Sequence, residues 1–430
     1  MEITKKLDHF DELSRNRLRL SLMELIFWAA FCLLLVIHCI ENTSLIYEDL
    51  GWMKAMYMVR NGLYVALLAK AGFLAIYRPK ELWCMLAVLP VGALCVLCSG
   101  DFALMEFAII VIAAKDIPAR KLVKVFAVIK AAAIVLTLVL AAVKVLPNIA
   151  YENTDRANHY TYGFCHRNVL GANMAVLCLA WFYLRYKRLS LRDYVLWGVL
   201  TAATYLLADS RTSLLIMVMS MALFFVCHWF EERILKLPRM RQILVGCFIA
   251  LFLISLVCTV FYKRYNPFWE FVDKFFTKRL RFAHQCLDTY GFSLFGREMD
   301  FVSTLDAQNN SDATRLILDN AFMRGLLHNG ILPCGLFLFA YCKSLDRAWM
   351  RKNLPLIVGM AVMAVYGMSE RFMLDVYYNF PLLVACLMLF RQPTAQNADS
   401  YRLPFEYARE MGLKLWQWCR QRFSKTTEAA

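Results

Sequence analysis

Long apolar segments alternate with short polar connections along most of the chain. A bilayer core about 30 Å thick requires about 20 apolar residues per helix, and this length criterion predicts about twelve membrane-spanning helices. The predicted spans lie near residues 21–40, 53–77, 81–98, 102–114, 123–146, 169–186, 193–208, 212–230, 243–262, 318–342, 354–369 and 373–390. The pattern therefore predicts an all-α polytopic membrane protein.

The spacing of the apolar segments divides the chain into five predicted parts. These are a cytoplasmic N-terminal segment at 1–20, transmembrane helices one to nine at 21–262, a large extracytoplasmic loop at 263–317, transmembrane helices ten to twelve at 318–391, and a cytoplasmic amphipathic tail at 392–430. No internal repeat is visible in the sequence, which argues against the two-halves organisation of many transporters.

The distribution of positive charge predicts which helix ends face the cytoplasm. The N-terminus, the C-terminal tail and alternate connections carry about 30 of the 48 lysines and arginines, and such connections stay on the cytoplasmic side. Both termini are therefore predicted to be cytoplasmic, and 263–317 to face the outside. That segment is itself basic, which long translocated loops tolerate.

Composition supports a membrane protein and changes the meaning of the net charge. Hydrophobic residues make up 60% of the chain and charged residues 19%, and the formal net charge is +15. A soluble protein with this charge would be a candidate for nucleic-acid binding. The chain has no phosphate-binding glycine loop and no basic and aromatic pattern typical of nucleic-acid binding. We therefore predict no nucleic-acid partner.

Two polar segments are predicted to fold along the membrane surface. The stretch FWEFVDKFFTKRLRFAHQCLDTYGFSLFG, residues 268–296, is rich in aromatic side chains. Structureless loops of this length are uncommon unless they are functional, although a solvated loop is also consistent with its charge. The tail YRLPFEYAREMGLKLWQWCRQRF, residues 401–423, is typical of a helix that lies on the inner membrane surface.

Polar side chains are concentrated in the connections predicted to face the outside. They include His166, Arg167, Asn168, Asp209, Arg211, Arg279, Arg281, Arg297, Asp319, Asn320, Arg324, His328, Glu370 and Arg371. Single members have ordinary explanations: Arg211 as a helix-end arginine that reaches the interface, His166 as a helix-end histidine, and Asp319 with Asn320 as a helix cap. Arginine binds phosphate and pyrophosphate in a forked geometry. Together the residues predict an anion-binding site at the outer face.

Four charged residues fall inside predicted membrane spans, where charge is costly. They are Arg60, Lys70, Glu106 and Lys130. Such residues normally face a bundle interior or a water-filled cavity. Arg60 and Glu106 both fall in the outer halves of their spans, so we expect them to pair. A structural ion pair and a place in the substrate cavity are equally consistent with this position.

Four ordered stretches resemble the O-antigen polymerase and O-antigen ligase superfamily of bacterial surface polysaccharide synthesis. They are YGFCHRNVLGANMAVLCLAW at 162–181, LADSRTSLLIMV at 207–218, RLRFAHQCLDTYGFSLFG at 279–296 and LDNAFMRGLLHNGIL at 318–332. The resemblance covers residues Tyr162 to Tyr341. The family pattern often has proline at the position of Arg167 and a second glycine after LFG, where this chain has Arg297.

The resemblance implies a membrane glycosyltransferase of the lipid-linked-sugar (GT-C-like) architecture in the bacterial inner membrane. Donor and acceptor would be oligosaccharide repeats of O-antigen, capsule or exopolysaccharide on undecaprenyl pyrophosphate. Ligases of the superfamily tend to carry histidine before the asparagine at the position of Asp319 and Asn320, so aspartate here favours a polymerase. A flippase and a chain-length regulator are the protein partners that such an enzyme implies.

The chemistry of sugar transfer assigns expected roles to the polar residues. Cations aimed at the leaving phosphate lower the barrier, so Arg211, Arg279 and Arg281 are expected to hold the pyrophosphate. Asp319 is the first candidate for the general base and His166 the second. Substrate-binding roles are expected for Arg167, Asn168, Arg281, Arg297, Asn320, Glu370, Arg371 and Arg60. Direct displacement would invert the anomeric centre, and neither a metal ion nor a cofactor is expected.

Two other functions remain open from the sequence. A ligase of the same superfamily would join a finished glycan to a different acceptor, and polymer would stay on its carrier without it. A flippase or transporter of lipid-linked sugars would also need many spans, and Arg60, Lys70 and Lys130 would then line its path. The long outward loop, the polar residues at one face and the lack of repeats argue against a transporter.

Overall fold

The computed structural model of the chain describes residues 2–48, 51–151, 159–275, 279–302, 316–390 and 401–427. Seventeen helices occur in these ranges. They are α1 Glu2–Glu41, α2 Trp52–Ala69, α3 Pro79–Ser99, α4 Ala103–Ala113, α5 Ala119–Ala142, α6 Arg167–Arg185, α7 Leu191–Ala208, α8 Arg211–Trp229, α9 Glu231–Leu235, α10 Met240–Phe261, α11 Pro267–Phe275, α12 Arg279–Tyr290, α13 Ala321–Met323, α14 Ile331–Met350, α15 Leu354–Gly367, α16 Phe380–Leu387 and α17 Pro404–Thr427.

The described chain is nearly all helical, and several of its helices are suited to a membrane. Six are long and apolar enough to cross a bilayer: Arg19–Glu41, Pro79–Ser99, Ala119–Ala142, Arg167–Arg188, Arg211–Trp229 and Met240–Phe261. The two short strands in the described ranges, β1 Ala150–Tyr151 and β2 His159–Tyr160, pair antiparallel. The prediction of an all-α multi-pass membrane protein is confirmed at this level.

Helix α6 lies at the centre of the bundle. Of its apolar window 72% is buried, against 17–39% in the other five long apolar helices, and α6 packs against α5, α7 and α8. The approach to α8 is close at Gly171, where a Cβ atom would lie 2.5 Å from Ser213 Oγ. The N-terminus of this central helix is therefore held firmly by its neighbours.

The stretch 318–342, predicted as one span, is not a continuous helix, because the helix is broken before Ile331. Residues Arg324–His328 form a single π-helical turn, and Gly330 follows with φ +96°. The segment Ser293–Gly296 packs into this break. Ser293 O accepts a hydrogen bond from Ile331 N at 2.9 Å, and Leu294 O accepts one from Leu332 N at 3.0 Å. These carbonyls satisfy amide groups that a helix start leaves open.

The predicted span at 373–390 is also longer than the helix observed there. Residues Arg371–Leu374 form a short 3₁₀ turn, and α16 begins only at Phe380. Asn379 caps α16, since its side-chain oxygen accepts a hydrogen bond from Leu382 N at 3.2 Å. The connection between α15 and α16 is therefore non-helical over 368–370 and 375–379, and its carboxylates lie at the end of the bundle.

The segment after α10 folds into two helices, α11 and α12, in its described part. Helix α12 packs against α10, and His284 Nδ1 lies 2.9 Å from Thr259 O. Phe268 and Phe271 on α11 are exposed. The described part of this segment thus has regular structure, while its position along the membrane surface stays a prediction and residues 303–315 lie outside the described residues.

The start of the C-terminal tail is joined to the membrane-spanning part by its backbone. Tyr77 N donates to Arg402 O at 2.9 Å, and Arg402 N donates to Tyr77 O at 3.0 Å. The Lys115 ammonium lies over the rings of Tyr77 and Tyr401 at 4.2 and 5.4 Å. The predicted helix is present as α17, and these contacts hold its start against the connections that follow α2 and α4.

The expected pair between Arg60 and Glu106 is not formed. Arg60 Nη1 lies 2.6 Å from Glu41 Oε1, at the C-terminal end of α1, whereas the Glu106 carboxylate accepts a hydrogen bond from Tyr64. Lys130 donates to Asn173 Oδ1 at 2.8 Å, and Lys70 donates to the Ala113 carbonyl. The intramembrane charges are therefore satisfied by nearer polar groups from neighbouring helices.

Candidate functional site

A cavity of about 630 Å³ opens at one end of the bundle. It is lined where α1 and α15 end, where α4 and α6 begin, and by residues of α12. Two connections rich in lysine and arginine follow the opposite ends of α4 and α6, before α5 and α7. A third precedes α10, whose opposite end contacts α12. The polar wall residues are Asn42, Tyr47, Asp101, His166, Arg167, Asn168, Arg279, Asp319, Arg324, Glu370, Arg371, Asp375 and Tyr378. This volume is in the range of small-molecule binding sites.

The N-terminus of α6 brings three of the predicted residues to the wall. His166 caps the helix, and its Nδ1 accepts a hydrogen bond from Asn168 N at 3.1 Å. Asn168 Nδ2 donates to Glu370 Oε1 at 3.1 Å. Arg167 Nη1 lies 3.8 Å from Asp209 Oδ2. Because α6 is the buried central helix, these side chains start from a rigid backbone.

Arg279 lies between two carboxylates in the wall. Its Nη2 is 2.5 Å from Glu370 Oε1, and its Nε is 3.3 Å from Asp319 Oδ2. It also donates to the Ser369 carbonyl. The exposed fractions are 13% for the Arg279 side chain and 5% for that of Glu370. Arg279 is therefore already engaged by protein groups, and its single positive charge is shared between two carboxyl groups.

Burial has a clear consequence for Glu370. Removal from water raises the pKa of its carboxyl above the ordinary value, Arg279 lowers it, and the nearby Asp319 charge raises it again. Burial of a carboxylate favours its neutral form. The outcome is that Glu370 takes up a proton more readily than an ordinary glutamate.

A second arginine of the wall, Arg324, is held by another carboxylate. Arg324 Nη2 is 3.2 Å from Asp101 Oδ2, and His328 Nδ1 lies 3.2 Å from the same oxygen. Burial alone would raise the pKa of Asp101, but the His328 imidazole and the Arg324 charge outweigh it and hold the pKa below its ordinary value. Asp101 is therefore a stable anion that fixes Arg324.

Arg371 differs from the other three arginines of the wall. Its side chain is exposed to the cavity, and within the described ranges it makes neither an ion pair nor a hydrogen bond. The other three each lie within 4 Å of a carboxylate. An arginine without a bound carboxylate keeps its fork of donors available for an incoming anion.

The wall is balanced in charge, which differs from the cationic pocket that the sequence suggested. Four arginines face four carboxylates, namely Asp101, Asp319, Glu370 and Asp375. Aromatic rings of Tyr47, Phe282, Phe301, Phe372 and Tyr378 complete the lining. Carboxylates accept hydrogen bonds from hydroxyl groups. Such a wall suits a ligand that combines hydroxyl groups with a limited amount of negative charge.

Five of the predicted site residues do not line this cavity. Arg211 is exposed at the first residue of α8. The backbone N–H of Arg281 donates to Asp273 Oδ1 at 3.0 Å, and the Arg297 side chain donates to the Tyr290 carbonyl. Asn320 caps α13 and donates to Met368 O at 2.9 Å. Arg60 is held by Glu41. Their expected roles stay predictions, and the geometry gives them no place on the wall.

The sequence pattern alone did not assign Asp101 and Asp375 to the site. Asp101 follows Gly100 after α3, and Asp375 falls inside the stretch predicted as a span at 373–390. A charged residue within an apolar run was the available signal for Asp375, because such residues are costly in lipid. Arg324 belongs to the outward polar residues of the sequence but carried no predicted role. Among the described residues, no group of three or more His, Cys, Asp and Glu is arranged to hold a metal ion.

Comparison with protein-family models, with curated proteins and with solved structures found no match for this chain. The resemblance to the polymerase and ligase superfamily therefore rests on the four motifs alone. Two of them, at 162–181 and 318–332, contribute residues to the cavity wall, and the motif at 279–296 contributes Arg279 and Phe282.

Proposed function

We propose that the chain is a polysaccharide polymerase of the bacterial inner membrane. It transfers a growing glycan from undecaprenyl pyrophosphate onto an incoming lipid-linked repeat unit at the outer face. The proposal includes about twelve membrane spans, both termini in the cytoplasm and a GT-C-like architecture. It is supported by the multi-pass helical fold and by the cavity at the end of the bundle opposite the basic connections.

The observation that carries the proposal is the composition of the cavity wall. Arg371 offers a guanidinium without a carboxylate partner among the described residues, and Arg167 is only 3.8 Å from its nearest carboxylate oxygen. These two cations would receive the diphosphate of the donor. We accordingly assign binding of the donor diphosphate to Arg371 and Arg167 instead of Arg211 and Arg281. Arg279 is buried and holds Asp319 and Glu370 in place.

The remaining wall is suited to carbohydrate. Asp319 and Asp375 have exposed side-chain fractions of 26% and 29% and would accept hydrogen bonds from sugar hydroxyl groups. Ring faces of Tyr47 and Phe301 would pack against the apolar faces of a sugar. A simple phosphate carrier would not need four carboxylates, because these repel its ligand.

The chemistry follows from charge development in the transition state. Breaking the bond between the anomeric carbon and the pyrophosphate leaves negative charge on phosphate oxygens. Preorganised donors at that position contribute several kcal/mol, about 2.7–4 for a single donor in a well-studied case. Direct attack by the acceptor hydroxyl inverts the anomeric centre. The proposed reaction uses no cofactor and no metal ion.

The test is the glycan pool of a strain that lacks this chain. A polymerase defect leaves single repeat units on the lipid carrier and in the surface glycan. A ligase defect instead leaves long polymer on its carrier, and a flippase defect leaves single repeats on the inner leaflet. Accumulation of long carrier-linked polymer, or of inner-leaflet repeats only, would refute the proposal.

Purified protein provides the second arm of this test. The carrier-linked glycan extracted from the deletion strain is incubated with the full chain in nanodiscs, without any other protein. We expect a ladder of products that differ by one repeat. The flippase and the chain-length regulator that such a system implies would change supply and product length, but not this basic activity.

A further inference from the structure

One carboxylate of the cavity wall differs from the other three in its surroundings. Asp375 lies in the non-helical connection before α16, and its side chain is 29% exposed. Its Oδ1 accepts a hydrogen bond from Tyr377 N at 2.8 Å, which fixes its direction. Within the described residues, no arginine or lysine nitrogen lies within ion-pair distance of it.

The other three carboxylates are each committed to a guanidinium. Asp101 is held by Arg324, and Glu370 and Asp319 share Arg279. A carboxylate beside a fixed positive charge loses that stabilisation when it is protonated, so it is a weaker base. Glu370 is in addition 5% exposed, so it has little surface to offer a substrate.

The nearest potential cation to Asp375 is His38 on α1, and its tautomer argues against a charge. His38 Nε2 is 3.9 Å from Asp375 Oδ2 and 2.8 Å from Asn42 Nδ2. The same Nδ2 donates to the His38 carbonyl at 2.9 Å, which can only accept. Because the Asn42 amide nitrogen is therefore a donor, His38 Nε2 is an acceptor and carries no proton toward Asp375.

We infer that Asp375 is the general base of the proposed polymerase reaction, in place of Asp319. The inference rests on the proposed function. The acceptor hydroxyl oxygen forms the bond to the anomeric carbon, and its proton passes to a carboxylate oxygen of Asp375. The bond from the anomeric carbon to the pyrophosphate breaks, and the leaving pyrophosphate keeps the electron pair. Asp375 then returns its proton to water in the cavity.

Other charged or titratable groups face Asp375 from the elements around it. They are His38, Cys39 and Glu41 on α1, Glu106 on α4, Lys130 on α5, and Arg371, Tyr377 and Tyr378 of the same connection. Lys130 is bound to Asn173 and lies 4.3 Å from the centre of the Tyr378 ring, so Tyr378 contacts this lysine at the cavity wall.

The test measures initial rates against pH for the full chain in nanodiscs, with the carrier-linked glycan extracted from the deletion strain. For the wild type we expect kcat to fall toward acid pH. Asp375→Asn should lower kcat by about 10²–10⁴-fold with little change in KM. The fall of kcat toward acid pH, which is the acid limb of the pH profile, should disappear in this variant. Asp319→Asn should keep the acid limb, since Asp319 is an ion-pair partner of Arg279.

Different results overturn different claims. If Asp375→Asn keeps kcat within tenfold of the wild type, or keeps the acid limb, Asp375 is not the base. If Asp319→Asn alone abolishes the limb, the base is Asp319. Should Asp375→Asn fail to fold, Asp375→Glu decides: it must shift the acid limb while Asp319→Glu leaves it in place. A wild-type chain that makes no polymer at any pH refutes the proposed function itself.

Discussion

Arg371 is the residue on which the proposed binding of the donor diphosphate depends most. We expect Arg371→Ala to reduce polymerisation by about 10²–10³-fold, because a donor aimed at the leaving phosphate is lost. Arg371→Lys should recover only part of the rate, since lysine keeps the charge but lacks the fork. The measurement is the polymerisation rate at matched amounts of purified protein.

The control for this prediction is an arginine remote from the cavity. Arg351 is exposed directly after α14 and does not line the wall, so Arg351→Ala should leave the rate unchanged. Equal rates for Arg371→Ala and the wild type would remove Arg371 from the mechanism.

The raised pKa of Glu370 predicts how the stability of the folded chain changes with pH. Because its pKa is raised in the folded chain, the folded state binds a proton more tightly than the unfolded state. The contribution of Glu370 is then most favourable at low pH, and it declines as pH rises from the ordinary glutamate value, about 4.3, through the raised value. We expect Glu370→Gln to lack this decline.

The measurement is the unfolding temperature of both proteins in detergent across that pH range. The difference between Glu370→Gln and the wild type should grow in favour of the variant as pH increases. A difference that is constant with pH, or of opposite slope, would show that Glu370 is an ordinary ionised partner of Arg279.

At the scale of elements, the break before α14 shapes one side of the cavity. Gly330 has φ +96° and ψ 165°, a conformation that is essentially restricted to glycine. A Cβ atom there would also lie 2.2 Å from Gly296 N. The backbones of residues 294–296 (LFG) and 328–330 (HNG) are thus in direct contact. This contact positions Arg324 and His328 beside Asp101.

We expect Gly330→Ala to destabilise the chain by about 1–3 kcal/mol from backbone strain alone. The contact with Gly296 should add to this loss. Gly335→Ala in the same helix is the matched control, because a Cβ at Gly335 meets nothing within 4 Å. Thermal unfolding in detergent is the measurement. If both variants unfold at the same temperature, the described packing of 293–296 against α14 is incorrect.

The side of the membrane to which the cavity opens decides whether the proposed function is possible. Alkaline phosphatase is active only after export, so fusions report on which side a connection lies. We expect an active enzyme when it is fused after Asn266, in the segment that follows α10, and an inactive one after Arg239, before α10. The positive charge distribution supports this orientation.

The opposite fusion result would be decisive against the polymerase. Lipid-linked repeats on the outer leaflet cannot be joined in a cavity that opens to the cytoplasm. An active fusion after Arg239 with an inactive one after Asn266 would therefore exclude the proposed reaction and leave the helical fold as described.

The wall residues show how far the sequence reached and where it stopped. His166, Arg167, Asn168, Arg279, Asp319, Glu370 and Arg371 are predicted residues that the structure brings to one cavity. They were recognisable because polar side chains at the ends of apolar runs are few. Asp101 and Asp375 join them only in the structure, because the packing of segments far apart in the chain brings them to the same cavity.

That the chain is helical and crosses a membrane several times follows from its sequence, because burial in lipid requires long apolar helices whose backbone groups are satisfied internally. The helix ends at which polar residues collect are likewise visible in the sequence. The pairing of Arg60 with Glu41, the engagement of Arg279 by Glu370 and Asp319, and the availability of Arg371 are visible only in the folded chain. Ion pairing depends on distances of a few ångströms between segments far apart in the chain, and no local pattern encodes these distances.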